Sequence, residues 1–391
     1  MGHKLRHVGT ATARRRRIAA ATAGGLAIAA FAFGAVLGDR GAPQPQPSPA
    51  SLLSPRQLVG ERLVAGFPGA SVPPSLRRMI RRGALAGVIL FEANLPNRAA
   101  ARRLVSELES IRRPPGLRDP LLVMVDQEGG LVKRLNGPPS ASARQMGAAG
   151  AAASREQGAA TASSLRGVGV NVDLAPVLDV ARPGGTIAAT SRGFGSTAAT
   201  VEATAVPFAE GLQAGGVAAT AKHFPGIGAT AENTDFAVQR VELSKQDLRA
   251  VDERPYRRFA AAGGKLVMLS TAIYPAFSAM PAAFARPIAS AELRERIGFD
   301  GVSITDALES VAVRDFGGPA SAGLAAAAAG IDLLLFTDYR AAATAGRALL
   351  RRLRRNPAAR AAFIVSAGRV LRLRHGLAPQ PTGAFASDSQ R

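Results

Sequence analysis

The sequence predicts an α/β fold, a closed (βα)8 TIM-type barrel forming one domain, on three observations. Eight short apolar runs recur along the chain, helical periodicity fills the stretches between them, and 391 residues at 47% hydrophobic content suffice for one large core. The runs are continuously apolar rather than alternating, which is the pattern of strands buried on both faces, hence of a parallel sheet covered by helices. Eight such units in roughly 320 residues favour closure into a barrel, which commonly takes about 250 residues plus insertions. A doubly wound open sheet is the alternative.

In chain order, residues 1–17 form a basic segment ending in Arg14-Arg15-Arg16-Arg17, expected to stay on the cytoplasmic side. The uncharged stretch 18–38 follows. A basic flank before an apolar run is an export signal; its length exceeds the roughly 7–15 residues of a cleaved signal and reaches the roughly 20 of a spanning helix. The segment therefore reads as a transmembrane anchor, with a cleaved signal as the alternative, so the protein is expected to be exported, either membrane-anchored or secreted. Residues 39–56 are proline-rich and polar, a spacer composition. The barrel is expected over 57–377, with strands in 64–67, 87–91, 121–126, 170–180, 217–224, 265–271, 301–306 and 331–337. Ala101, Leu104, Val105, Leu108 and Ile111 trace one helical face between the second and third. Ser244 with Asp247 three residues later marks another helix start. Residues 378–391 are polar and expected to be disordered.

The net charge of +21 is mostly arginine spread along the chain, with no recognisable nucleic-acid module. An anionic envelope surface is the expected electrostatic partner, and no nucleic acid. With no cysteine, a disulfide scaffold, a thiolate nucleophile and a lipid-modified cysteine are excluded. The barrel region holds two histidines, His223 and His375, far apart in sequence, so no metal is expected.

Polar groups gather at the carboxyl ends of the expected strands, where barrel enzymes keep their sites. Asp126 ends Met124-Val125-Asp126, Asp179 ends Ala175-Pro176-Val177-Leu178-Asp179, Lys222 and His223 end the run from Val217, and Asp306 ends Ser303-Ile304-Thr305-Asp306. Any one alone would ordinarily cap a helix or tie a loop; several on one rim point to a site.

Lys222-His223-Phe224-Pro225-Gly226 followed by Gly228 resembles the signature of family 3 glycoside hydrolases, specifically the single-domain β-N-acetylglucosaminidase (β-N-acetylhexosaminidase) branch. Further segments carry the same resemblance. They are Val125 to Gly130 with Val132-Lys133-Arg134, Asn171 to Val180, Ser191 to Gly195, and Gly298-Phe299-Asp300-Gly301 leading to Thr305-Asp306. The resemblance implies a single catalytic domain with Asp306 as nucleophile and a covalent glycosyl intermediate. It also implies that Asp126, Arg134, Arg192, Lys222 and His223 hold sugar hydroxyls, and that no cofactor takes part. Asp179 is expected to fix the barrel mouth rather than touch substrate.

One departure matters. The loop after KHFPGxG in that branch carries an Asp-Ser-His triplet whose histidine is the general acid/base; here the three positions are Asn233, Thr234 and Asp235. The remaining histidines, His3, His7 and His375, lie far away in sequence, and the chain is expected to end before a second domain able to supply a glutamate. Asp235 is therefore the expected acid/base, with Glu232 a weaker candidate, and Gly226 and Gly228 are expected to hinge the loop over the sugar. The alternative is a lost proton donor, leaving a sugar-binding envelope protein; a β-glucosidase is a further one. Leu131 and Thr271 stand where the branch often has arginine and histidine. The expected substrate is terminal β-linked N-acetylglucosamine on peptidoglycan-derived fragments, hydrolysed with retention.

Overall fold

The computed structural model describes residues 48–378. The expected anchor at 18–38 and all of the tail but Ala378 lie outside the described residues. Among those described, no helix is long and apolar enough to cross a membrane.

Eight strands, all parallel, form one sheet: β1 (Leu63–Ala65), β2 (Gly87–Ile89), β3 (Leu122–Val125), β4 (Val172–Asp173), β5 (Ala218–Phe224), β6 (Leu266–Leu269), β7 (Val302–Thr305) and β8 (Leu334–Phe336). They run in sequence order, and β8 pairs with β1. The last gap is bridged between Ile304 and Leu333, with Leu333 N–H donating to Ser303 O at 2.8 Å and Thr305 N–H to Leu333 O at 3.0 Å. The barrel expected from the sequence is thus present as an eight-stranded parallel sheet that all but closes, and the open-sheet alternative falls away.

Alternation along the strands divides the core. Val64, Ile89, Met124, Val172, Met268, Ile304 and Leu335 pack with one another inside the barrel. Their neighbours Leu63, Ala65, Val88, Val123, Val125, Val267 and Phe336 join the shell under the helices. A two-residue period inside and a covered outside face explain why each run is apolar without a break. The helix expected from the Ala101 to Ile111 face spans Arg98–Glu109, capped by Asn97 and burying Ala101, Leu104, Val105 and Leu108. Ser244 caps a short helix as expected, its hydroxyl accepting from Asp247 N–H.

Two expectations need correction. The eleven-residue strand at 170–180 contains only two strand residues. Beyond Asp173 the chain keeps a single bridge, Val177 to Lys222, because Pro176 lacks the N–H that a ladder needs. Part of the stretch read as spacer is folded: Ala50 and Leu53 are buried, and Arg360 donates to Ser51 O at 3.2 Å.

The amino-terminal end of the barrel is held by buried ions. Arg374, on the last helix Pro357–Gly376, pairs with Glu61 just before β1 at 2.6 Å, and Arg113 reaches the other Glu61 oxygen at 2.9 Å. Asp332, just before β8, receives Arg294 at 2.6 Å and Arg369 at 3.2 Å. The opposite, carboxyl-terminal end is left to the cleft described next.

Candidate active site

Lys222 and His223 are consecutive, so regular alternation would turn one of them away from the barrel mouth. The pairing of β5 with β6 shifts register between Ala221 and Phe224, and such an irregularity re-aims side chains. Both residues line one cleft of about 290 Å³ at the carboxyl ends of the strands, and so do Asp126, Arg134, Arg192, Asp235 and Asp306. The seven residues expected to bind or react with the sugar therefore meet in one place. Glu128, Asn233 and Thr337 complete its polar wall, with Ile89, Met268 and Leu335 from the barrel interior as its floor.

The cationic part is a closed network. Lys222 Nζ lies 2.7 Å from both Asp126 Oδ1 and Glu128 Oε1. Arg192 grips Glu128 with two parallel bonds of 2.8 Å from Nε and Nη2. Burial alone would raise the Glu128 carboxyl, but Arg192 and then Lys222 hold it far below the usual carboxylate range. Burial likewise disfavours the Lys222 ammonium, and Asp126 with Glu128 more than reverses this. Lys222 is thus a fixed cation and not a proton donor. Arg134 is looser: its Nη2 stands 3.6 Å from Asp126 Oδ2, and its Nε has no partner among the described residues.

Glu128 was not singled out by sequence reasoning, although a signal was there. It stands two residues after Asp126, and side chains at i and i+2 of an extended segment share a face. Gln127 between them points the other way and is fully buried. Its amide donates to Leu135 O at 2.9 Å and Pro138 O at 2.8 Å and accepts from the Arg134 and Leu135 N–H groups at 3.0 Å. That one side chain shapes the hairpin Gln127–Gly129 to Val132–Lys133 and sets down Arg134 beside Asp126. Asp173 was missed as well. It accepts from Gln127 N–H at 3.0 Å, and burial raises its carboxyl well above the usual range.

Asp179 behaves as expected, behind the site. Its Oδ1 accepts from the backbone N–H of His223 at 3.1 Å and of Ile227 at 2.9 Å, and its Oδ2 lies 2.7 Å from His223 Nδ1. The arrangement puts the Nδ1 proton toward Asp179 and leaves Nε2 for the cleft.

Asp306 follows β7 directly and accepts from Ala307 N–H at 2.8 Å. Burial raises its carboxyl, the nearby His223 opposes the rise, and the Asp235 charge adds to it. Asp235 and Asp306 are therefore electrostatic neighbours across the cleft. A tight turn presents Asp235: its N–H donates to Asn233 Oδ1 at 3.0 Å, and Asn233 Nδ2 donates to Asp235 Oδ2 at 3.2 Å. The loop is also tied to the segment after Asp306, with Val311 N–H donating to Asp235 O at 3.2 Å. Glu232 is exposed and is not among the residues lining the cleft.

The expected hinges are not hinges. Gly226 and Gly228 are buried; a Cβ on Gly228 would collide with the Val180 carbonyl oxygen, and Gly226 O accepts from Tyr274 Oη at 2.9 Å. These glycines permit close backbone packing, and the exposed part of the loop begins after them.

The family profile described as glycosyl hydrolase family 3 N terminal domain matches residues 63–373. A Pseudomonas aeruginosa protein named beta-hexosaminidase is 33% identical over 290 residues, covering 73% of this chain and 84% of that protein. An Arthroderma benhamiae protein described as an uncharacterized secreted glycosyl hydrolase is 34% identical over 311 residues, covering 78% and 87%. Among solved structures, a beta-N-acetylhexosaminidase from Beutenbergia cavernae superposes with a TM-score of 0.76 at 31% identity, covering 83% of this chain and 99% of that one. A family 3 beta-N-acetylglucosaminidase from Paenibacillus gives 0.78 at 33%, this chain spanning 65% of its length. With the barrel, the cleft at its carboxyl-terminal rim and a profile match over most of the chain, this protein belongs to glycosyl hydrolase family 3.

Proposed function

We propose that the protein is a retaining β-N-acetylglucosaminidase (β-N-acetylhexosaminidase) that removes terminal β-linked N-acetylglucosamine from cell-wall fragments. The observation that carries this reading is the convergence of Asp306 and Asp235 on one cleft whose wall also holds the Asp126, Glu128, Arg192 and Lys222 network. Two carboxyl groups flanking a sugar site are what hydrolysis with retention requires.

An Asp306 carboxylate oxygen attacks the anomeric carbon as the glycosidic bond breaks, and the leaving oxygen takes the proton of Asp235. Water then gives a proton to Asp235 and attacks the same carbon, releasing Asp306 as carboxylate. Asp126, Arg134, Arg192, Lys222 and His223 hold the sugar hydroxyls, so the ring arrives oriented for attack. The named activities of the relatives support the substrate class. The secreted description of the Arthroderma relative supports export, which the basic and apolar segments at 1–38 would direct, with 18–38 as anchor.

The test is hydrolysis of an aryl β-N-acetylglucosaminide by the full chain beside Asp306→Asn and Asp235→Asn. Both variants should lose about 10³-fold or more in kcat with unactivated substrates, and azide should restore turnover to Asp235→Asn alone. Equal rates for the unaltered chain and Asp235→Asn on a poor leaving group would remove Asp235 from the role. A second reading is favoured by the exposure of Asp235, which ties to Asn233 in place of a histidine. It is a sugar-binding envelope protein without turnover, and binding of free N-acetylglucosamine with no hydrolysis would establish it.

A further inference from the structure

We propose that Phe236, with Leu131 on the hairpin bordering the same cleft, forms the subsite for the leaving group and accepts a second pyranose ring by its apolar face. The proposal rests on the reading of Asp235 as proton donor. Six large apolar side chains are exposed among the described residues. Two of them directly follow or precede a residue that lines the cleft: Phe236 after Asp235, 77% exposed, and Leu131 before Val132, 78% exposed. Scattered exposed hydrophobic residues call for no explanation, but two adjoining lining residues of one charged cleft do.

The inner wall of the cleft is ionic, fit for hydroxyl groups, whereas Phe236 and Leu131 add apolar surface to two of the segments that bear it. A proton donor must stand at the glycosidic oxygen, the atom joining the held sugar to its leaving group. The residue next to it in a tight turn then stands beside the leaving group. That turn is held in place: Phe236 N–H donates to Asn233 O at 3.1 Å and Asp235 O accepts from Val311 N–H at 3.2 Å, so the ring is presented on a fixed backbone. A pyranose offers an aromatic ring a face of C–H groups while its hydroxyl edge stays in water, which suits an amphipathic sugar to a half-open apolar platform.

The experiment compares two substrates in the full chain: the β-1,4-linked disaccharide of N-acetylglucosamine and N-acetylglucosaminyl fluoride, whose leaving group is one atom. Phe236→Ala should lower kcat/KM for the disaccharide about tenfold, mainly through KM, with Leu131→Ala giving a smaller loss in the same direction. For the fluoride, which puts nothing in this subsite, kcat/KM should stay within about twofold, and Phe236→Tyr should retain disaccharide turnover. An equal loss on both substrates would mean that Phe236 only shapes the loop, and no loss on either would leave the rim without a role; each overturns the subsite alone. Turnover of neither substrate by the unaltered chain would overturn the hydrolase reading and this subsite with it.

Discussion

Glu128 shows how charge is managed in the cleft. Its carboxylate is shared by Lys222 and Arg192, so both cations are fixed before a ligand arrives. Glu128→Gln keeps the shape but removes the charge that anchors them; kcat/KM should fall about 10- to 100-fold, and steady-state kinetics would show it. Asp306 has a pH consequence of definite sign. The nucleophile must be ionised, and its carboxyl is raised by burial, with Asp235 adding to the rise and His223 opposing it. Activity should therefore fail as pH drops through that raised value, placing the acid limb of kcat/KM above the roughly 3.9 of an ordinary aspartate. A profile still flat at about pH 4 would contradict this assignment of Asp306.

At the scale of elements, two connections build the site. One is the hairpin after β3, whose form depends on the four hydrogen bonds of the Gln127 side chain. Gln127→Ala should release Arg134 from its place beside Asp126, raising KM about tenfold or more and leaving several backbone groups unsatisfied at a cost of about 1–3 kcal/mol. Kinetics together with thermal unfolding would separate the two effects. The other is the loop after β5, locked at its start by Gly228 against Val180 and Asp179 against Ile227 N–H. Its exposed turn can differ in residue type, as Asn233 and Asp235 illustrate, without disturbing the strand that carries Lys222 and His223.

At the scale of the whole molecule the two ends of the barrel divide the work. The carboxyl-terminal rim holds the cleft, while the amino-terminal end is closed by Glu61 between Arg113 and Arg374 and by Asp332 between Arg294 and Arg369. Arg374 comes from the last helix and also donates to Pro120 O at 2.9 Å and Leu117 O at 3.1 Å, so it fastens the carboxyl-terminal helix across the start of the barrel. Burial already raises the Glu61 carboxyl, with Arg374 opposing. Arg374→Met should therefore cost about 3–5 kcal/mol, read by denaturant unfolding of the full chain, with activity per folded molecule unchanged.

The amino-acid sequence by itself determined the strand and helix pattern, because burial on two faces leaves a continuous apolar run and burial on one leaves a helical stripe. It also placed Asp126, Lys222, His223 and Asp306 among the site candidates, because polar residues at the ends of such runs emerge at one rim, while the family resemblance of the surrounding segments added Arg134, Arg192 and Asp235. Only the tertiary structure decided how these groups pair. Glu128 as the shared counter-ion, Gln127 as the organiser of the hairpin, Asp179 behind His223, and Gly226 and Gly228 as packed rather than hinging positions all depend on distances between segments far apart in sequence. Local periodicity reports which way a residue faces; what it faces is set by the closure of the barrel.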